Sequence, residues 1–547
     1  MGFYIAYICC FGGVIMKQSF YGFFLFFISV FVYAGKGSEI RFLNMSDNPN
    51  FNLVVTGDGG CSQLSDDQNM QANTLLHIED ASQKWYAPCK DAQHALKLVD
   101  LATNKVLASA RFKSHYHTGT LGEVSFGLYE NRRGYNVVDN PYMGVRLTHN
   151  NKKYVVTFSV YPNPGNNKYH QFNFVVSNDM SHWMGNLFKN TPALLNKKIY
   201  NVIFPASHDA LAYEFDKHAY EVDVLGEYAN IISKISKWVL GDSVPHAIAG
   251  LSTTQYAITA QINNGIKAFD IRFANKFASG LKGGNFYTTG NQFYHPHGLK
   301  GQNVGEIIKN LIIPFLNAHP QEFMLLDFTK ANTKNLNNRS DLQDMLDDLY
   351  KYYQPMLIHE TDLDKNIETL LNQNKRLIVI GDQSAFDQLD NKEMFTYLYG
   401  YTDGLGASNI NQRGKFQKID SYNETSRGAI DTVKAQMRQA ISYTSNLSGF
   451  DNVGIINLQN QATLSTNTNE VIDYALTSVM NGAFINLLLK SQMPLNFYFY
   501  SLSNGLYKEK ALEIMRNKPE KYIITIMDDF AGVELSTIAK YITAQQV

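Results

Sequence analysis

From about residue 190 onward, short apolar runs alternate with stretches of helical period. The runs at 200–204, 266–273, 292–295, 323–328, 376–380, 453–458 and 522–527 are of strand length. The clearest helical pattern is at 304–316, where Val304, Ile307, Ile308, Leu311, Ile312, Phe315 and Leu316 recur at helical spacing and His319-Pro320 ends the run. Such alternation predicts an α/β fold whose parallel sheet is closed into a barrel by the last strand. Residues 36–185 read differently. The stretches 51–56, 95–99, 106–112 and 153–160 are short and partly alternating, with Asn, Asp and Gly between them and a hairpin turn at Thr103-Asn104. They predict an all-β, sandwich-like domain over 35–188 that precedes the α/β domain over 189–547.

Composition narrows the class. The chain has 547 residues with 48 basic against 49 acidic side chains, a balance that argues against a general nucleic-acid binder. Residues 1–34 carry one charge, Lys17, and no acid. Starting from Met16, a basic residue, an apolar run over 20–33 and the exit Val32-Tyr33-Ala34 form the pattern of a cleaved secretory signal peptide. The expected compartment is therefore secreted or periplasmic, with Met16 the expected translation start. Cys9 and Cys10 leave with that leader, so Cys61 and Cys89 remain as an even pair and are expected to form one structural disulfide.

Three segments at strand ends carry candidate chemistry: Pro205-Ala-Ser-His208-Asp209, Phe269-Asp270-Ile-Arg272, and Phe293-Tyr-His295-Pro-His297-Gly298. Spacing of two puts Asp270 and Arg272 on one strand face. Charged side chains among apolar strand residues are costly unless paired or used. Two imidazoles and a guanidinium are what phosphodiester cleavage requires: a base for the nucleophile, an acid for the leaving oxygen and a planar cation for the phosphate. Taken singly, each segment also has a structural reading: Asp209 as a helix cap, Asp270 with Arg272 as an internal salt bridge, His295 with His297 as a metal pair or surface loop.

Together with Gln255-Tyr, Gln261-Ile-Asn-Asn-Gly-Ile-Lys and the stretch from Phe315 to Phe328, these words resemble, in the same order, the X domain of bacterial-type phosphatidylinositol-specific phospholipase C. The resemblance covers about 200–330. It implies a distorted TIM-type (β/α) barrel and cleavage of phosphatidylinositol-type lipid to diacylglycerol and inositol 1,2-cyclic phosphate at a membrane surface. On this chain, His208 is the implied base, Arg272 the phosphate clamp, and His297, with His295 in reserve, the acid linked to Asp209. The aspartate that orients the base is Asp528 or Asp529. Calcium-using relatives place an acid where Arg272 stands and an Asn after the first histidine, so the implied type is metal-independent, with no cofactor. Asp327 is a candidate for substrate hydroxyls, and Trp238, on an apolar face within 212–252, is a candidate lipid-interface residue. The rivals are a metal-dependent glycerophosphodiester phosphodiesterase, whose Glu-x-Asp is replaced here by Asp270-x-Arg272, and an inactive secreted binding protein or adhesin.

Overall fold

The structure is a computed structural model that describes residues 37–60, 67–72, 74–79, 91–115, 120–128, 143–162, 169–222, 255–279, 285–328, 335–386, 388–402, 416–420, 453–459, 512–513, 515–516, 521–528 and 531–547. The predicted leader over 1–34, Cys61, Cys89, Trp238 and Asp529 lie outside these residues.

Among the described residues of the N-terminal domain there are ten strands: β1 (Gly37–Met45), β2 (Phe51–Gly60), β3 (Gln68–Met70), β4 (Thr74–Glu79), β5 (Asp91–Asp100), β6 (Lys105–His115), β7 (Thr120–Leu128), β8 (Met143–His149), β9 (Lys152–Pro162) and β10 (Tyr169–Asn178). They form two five-stranded sheets of order β4-β1-β10-β9-β8 and β3-β2-β5-β6-β7. Alternate residues of both sheets, including Phe42, Phe158, Phe172 and Phe174 from one and Phe51, Leu53, Leu96 and Leu98 from the other, share one buried core. A two-residue side-chain period with one face apolar drives this sheet-on-sheet packing. The turn foreseen at Thr103-Asn104 joins β5 to β6, and Asn104 takes the left-handed φ of 52° that asparagine tolerates.

Helix α1 (Trp183–Asn190) follows, burying Trp183, Met184, Leu187 and Phe188 in the core of the second domain. That domain is mixed α/β. Its central sheet is curled and all-parallel, made of β11 (Ile203–Ser207), β13 (Ala268–Ile271), β18 (Met324–Phe328), β19 (Leu377–Asp382), β20 (Tyr397–Thr402), β21 (Phe416–Asp420), β22 (Val453–Gln459) and β23 (Tyr522–Asp528), with β23 pairing back onto β11. Between them run β12 (Asp216–Glu221), β14 (Lys276–Ala278), β15 (Phe286–Thr288), β16 (Tyr294–His297) and β17 (Leu299–Asn303), which form a separate side sheet of order β15-β14-β12-β17-β16.

This side sheet corrects one expectation. The run at 292–295 is no strand of the central sheet; its residues lead into β16, which pairs antiparallel with β17. The reason is in the residues: Tyr-His-Pro-His is too polar for a strand flanked on both sides in a parallel sheet, and Pro296 cannot donate to a ladder there. Conversely, β20 and β21 were not foreseen. Tyr-Leu-Tyr-Gly-Tyr-Thr is interrupted by glycine and Phe-Gln-Lys-Ile-Asp is short and half polar, so neither stands out as an apolar run.

Among the described residues the further helices are α2 (Ile258–Asn263), α3 (Val304–Ile307), α4 (Ile313–Ala318), α5 (Arg339–Tyr353), α6 (Ile367–Asn372), α7 (Gln383–Phe386) and α8 (Val533–Ala544). The predicted helix at 304–316 is α3 and α4 joined by a π turn over Ile308–Ile312, which ends one residue short of Pro314, whose missing N–H the local re-registering accommodates. Asn303 caps its start by accepting from Glu306 N–H at 3.1 Å. Its end is closed from outside: the buried Arg376 guanidinium donates to the carbonyls of Leu316 and His319.

Glu534, in the first turn of α8, is buried, and burial pushes its carboxyl pKa up to about 7, with its own backbone N–H pulling the other way. The folded value lies above the ordinary 4.5. The stability contributed by the protonated acid is therefore full below the unfolded value and is lost as pH rises through about 7, on the order of 3 kcal/mol in all. Glu534→Gln is expected to melt higher than the native protein at pH 8.5 and much closer to it at pH 5. Thermal unfolding at the two pH values checks this, and a gap that does not change with pH would count against it.

Candidate active site

The site stands at the C-terminal ends of β11 and β13, where the two histidines of β16 approach Asp209. His208 and Asp209 form the turn that leaves β11. Asp209 has φ 45°, a left-handed conformation that a short polar side chain can take. Neighbouring main chain pins the turn: His208 N–H donates to Asp528 O at 3.1 Å and Ala210 N–H to Asp270 O at 2.8 Å. Asp209 N–H donates to Asp270 Oδ2 at 3.2 Å. Two glutamines complete the clamp. Gln255 Nε2 donates to the carbonyls of His208 (2.7 Å) and Asp528 (2.8 Å), while its Oε1 accepts from Ala531 N–H at 3.1 Å. Gln261 Nε2 donates to Ala210 O at 2.7 Å and Tyr256 O at 2.6 Å.

Asp209 is the centre of the arrangement. Its carboxylate is buried and lies 2.8 Å from Arg272 Nε, with Nε2 of His208, His295 and His297 each at 3.3 Å. Burial alone would raise its pKa; the charge of Arg272, then His208 and His297, with His295 close by, outweighs it and holds the group well below the usual carboxylate range. Arg272 Nη2 faces His208 Nε2 at 3.3 Å and lies 3.8 Å from Asp270 Oδ2. Nε2 of His208 therefore stands between a donor, Arg272, and an acceptor, Asp209.

The two histidines of β16 differ. His295 is fully buried, and burial lowers its pKa despite the neighbouring Asp209. Its Nδ1 accepts from Arg272 N–H at 3.2 Å, which leaves the proton of the neutral ring on Nε2, toward Asp209. His295 thus holds the Arg272 backbone through Nδ1 while its Nε2 stands 3.3 Å from Asp209. His297 keeps 24% of its side chain exposed, beside His208 at 12% and Arg272 at 33%, so these three form the accessible part of the cluster. Gly298, with φ 75°, turns the chain out of β16 where an L side chain would be strained.

Glu221 of β12, not singled out from the sequence, holds that turn. Its Oε2 accepts from Gly298 N–H at 2.9 Å, its N–H donates to Gly298 O at 3.0 Å, and its Oε1 accepts from Asn335 at 2.6 Å. Nothing in the local sequence around Glu221 marks this role. Gln255 and Gln261 were visible only as parts of longer words, since a buried glutamine is recognised by the carbonyls it reaches.

The remaining candidates fall as follows. Asp327 pairs with Asp270 in register and is buried on the same face. Asp528 pairs with Ser207, on the opposite face from Ala206 and Met527, and meets His208 through its carbonyl. His208, Asp209 and Asp270 offer ligand atoms within 4.8 Å of one another, the spacing of a small cation site. Arg272 already brings fixed positive charge to the same carboxylates.

No family profile matches the sequence, and no curated protein matches it. Among solved structures, a variant of the phosphatidylinositol-specific phospholipase C from Staphylococcus aureus aligns over 67% of this chain and 96% of its own, at 14% identity and a TM-score of 0.34. The lipid binding protein Nakanori aligns over 30% of this chain and 80% of its own, at 6% identity and a TM-score of 0.17. At these scores neither likeness bears on function.

Proposed function

We propose that the protein is an exported, metal-independent phosphodiesterase of the phospholipase C type, built on a distorted TIM-type barrel and cleaving phosphatidylinositol-type lipid. The observation that carries this reading is the convergence of His208, Arg272 and His297, all partly accessible, on the one buried carboxylate of Asp209. The order of the sequence words around them supports it. His208 removes the proton of the inositol 2-hydroxyl, whose oxygen attacks phosphorus within the same molecule, so no second reactant has to be captured. Arg272 takes the charge that builds on the non-bridging oxygens. The bond from phosphorus to the diacylglycerol oxygen breaks, and His297 hands that oxygen a proton. The products are diacylglycerol and the 1,2-cyclic phosphate, and solvent returns the proton from His208 to His297.

The test is purified protein on phosphatidylinositol vesicles, following cyclic inositol phosphate. His208→Ala is expected to lower the rate by about 10²–10⁴-fold, and EDTA is expected to leave the native rate unchanged. No product, or product insensitive to the substitution, removes the proposal. Activity lost in EDTA and restored by a divalent cation would assign His208, Asp209 and Asp270 to metal binding instead.

A further inference from the structure

We infer that the N-terminal β-domain is a positioning element of the catalytic turn, acting through α2; the effect on turnover rests on the function proposed above. The path is short. On β8, Gly144 lies against α2 so closely that a Cβ there would stand 2.7 Å from Ala260 Cβ and 3.2 Å from Thr157 Cγ2. Only a residue without a side chain permits that approach, although the backbone of Gly144 does not need glycine's left-handed conformations. Two residues on, Arg146 bonds Asn263 Oδ1 at the end of α2 and pairs with Asp179 at 2.9 Å. Met180 N–H, just past the end of β10, donates to Asn263 O at 2.9 Å. The β-domain therefore touches α2 at its middle and ties down its C-terminus.

The other side of α2 belongs to the active site. Gln261, next to Ala260, holds the Ala210 carbonyl two residues after His208. Gln255, three residues before α2, holds the carbonyls of His208 and Asp528. Tyr256 and Ala260 are buried together, and the Tyr256 carbonyl shares the Gln261 amide. A displacement of α2 imposed at Gly144 must therefore be absorbed by the hydrogen bonds that shape the His208-Asp209 turn. Small misplacement of a catalytic group is costly because the reacting atoms must stay in a narrow geometry.

The experiment uses the full chain with Gly144→Ala, Ala260→Gly, their combination, and Arg146→Ala. Gly144→Ala is expected to lower kcat about tenfold or more with KM nearly unchanged, and to speed amide exchange at His208, Ala210 and Ala531. Ala260→Gly removes the methyl that the new Cβ would strike, so the double variant is expected to recover both rate and protection. Arg146→Ala, which adds no bulk, is expected to speed exchange at the same amides. Full activity and unchanged exchange in Gly144→Ala would overturn the inference. So would a folded double variant without recovery, or unchanged exchange at His208 and Ala210 in Arg146→Ala. If the native protein cleaves no phosphatidylinositol, the proposed activity fails, and the exchange data alone decide whether the β-domain holds the turn.

Discussion

Replacing Asp209 with asparagine is expected to lower kcat/KM by about 10³-fold or more and to cost about 3 kcal/mol of stability. Asparagine keeps the shape and tolerates the left-handed backbone at φ 45°, so the change isolates the charge. Without that charge, Arg272 and the three imidazoles face one another with no anion between them. The stability cost stays at the low end of the range for breaking a buried pair because Arg272 is one-third exposed and can turn to water. The pH dependence has a definite sign. The folded pKa of Asp209 is depressed, so its contribution is present above the ordinary carboxylate range and is lost as pH falls through the folded value. The native protein should therefore lose stability in acid more steeply than Asp209→Asn. Chemical unfolding at pH 7 and at about pH 2, with vesicle kinetics at pH 7, checks both parts; an asparagine variant with native turnover would show that the carboxylate is not the hub of the reaction.

The second large effect is at the opposite end of the sheet. Lys267 immediately precedes β13 and Glu322 lies two residues before β18, and their charged ends meet at 2.7 Å with both side chains fully or nearly buried. Burial lowers the lysine pKa while the charge of Glu322 supports it. Each partner also serves the main chain: Lys267 Nζ donates to Ser181 O at 2.6 Å, and Glu322 Oε1 accepts from Gly185 N–H of α1 at 2.8 Å. Lys267→Met alone is expected to destabilise by about 3–5 kcal/mol, because it strands a buried carboxylate. Adding Glu322→Leu removes that charge and should recover part of the loss. Recovery stays incomplete because the Ser181 carbonyl and Gly185 N–H lose these partners. Thermal or urea unfolding of the single and double variants reads this directly. A single-variant loss under about 1 kcal/mol would place the pair in the surface class despite its burial.

Much of the architecture is legible in the chain because it follows from periodicity. Apolar runs such as 323–328 and 522–527 have to be strands buried on both faces, and the spacing over 304–316 has to be a helix. The misses follow from the same rule. Tyr397–Thr402 and Phe416–Asp420 are strands because neighbouring strands offer them a ladder, which their own residues do not announce. The polar Tyr294–His297 is paired, but in the side sheet, where one face need not be apolar.

The candidate site divides in the same way. The residue types and their order alone singled out His208, Asp209, Asp270, Arg272, His295 and His297 as candidates for one kind of chemistry. Side-chain type sets what a group can donate, accept or carry as charge, and that is a local property. Only the tertiary structure decided their surroundings. It set His295 inside, accepting the Arg272 amide, and left His297 accessible; it gave Asp209 four cationic or imidazole neighbours; and it recruited Glu221, Gln255 and Gln261 to hold backbone that they do not adjoin in sequence. Burial and partner geometry arise from contacts between residues tens to hundreds of positions apart, and no local pattern in the chain encodes them.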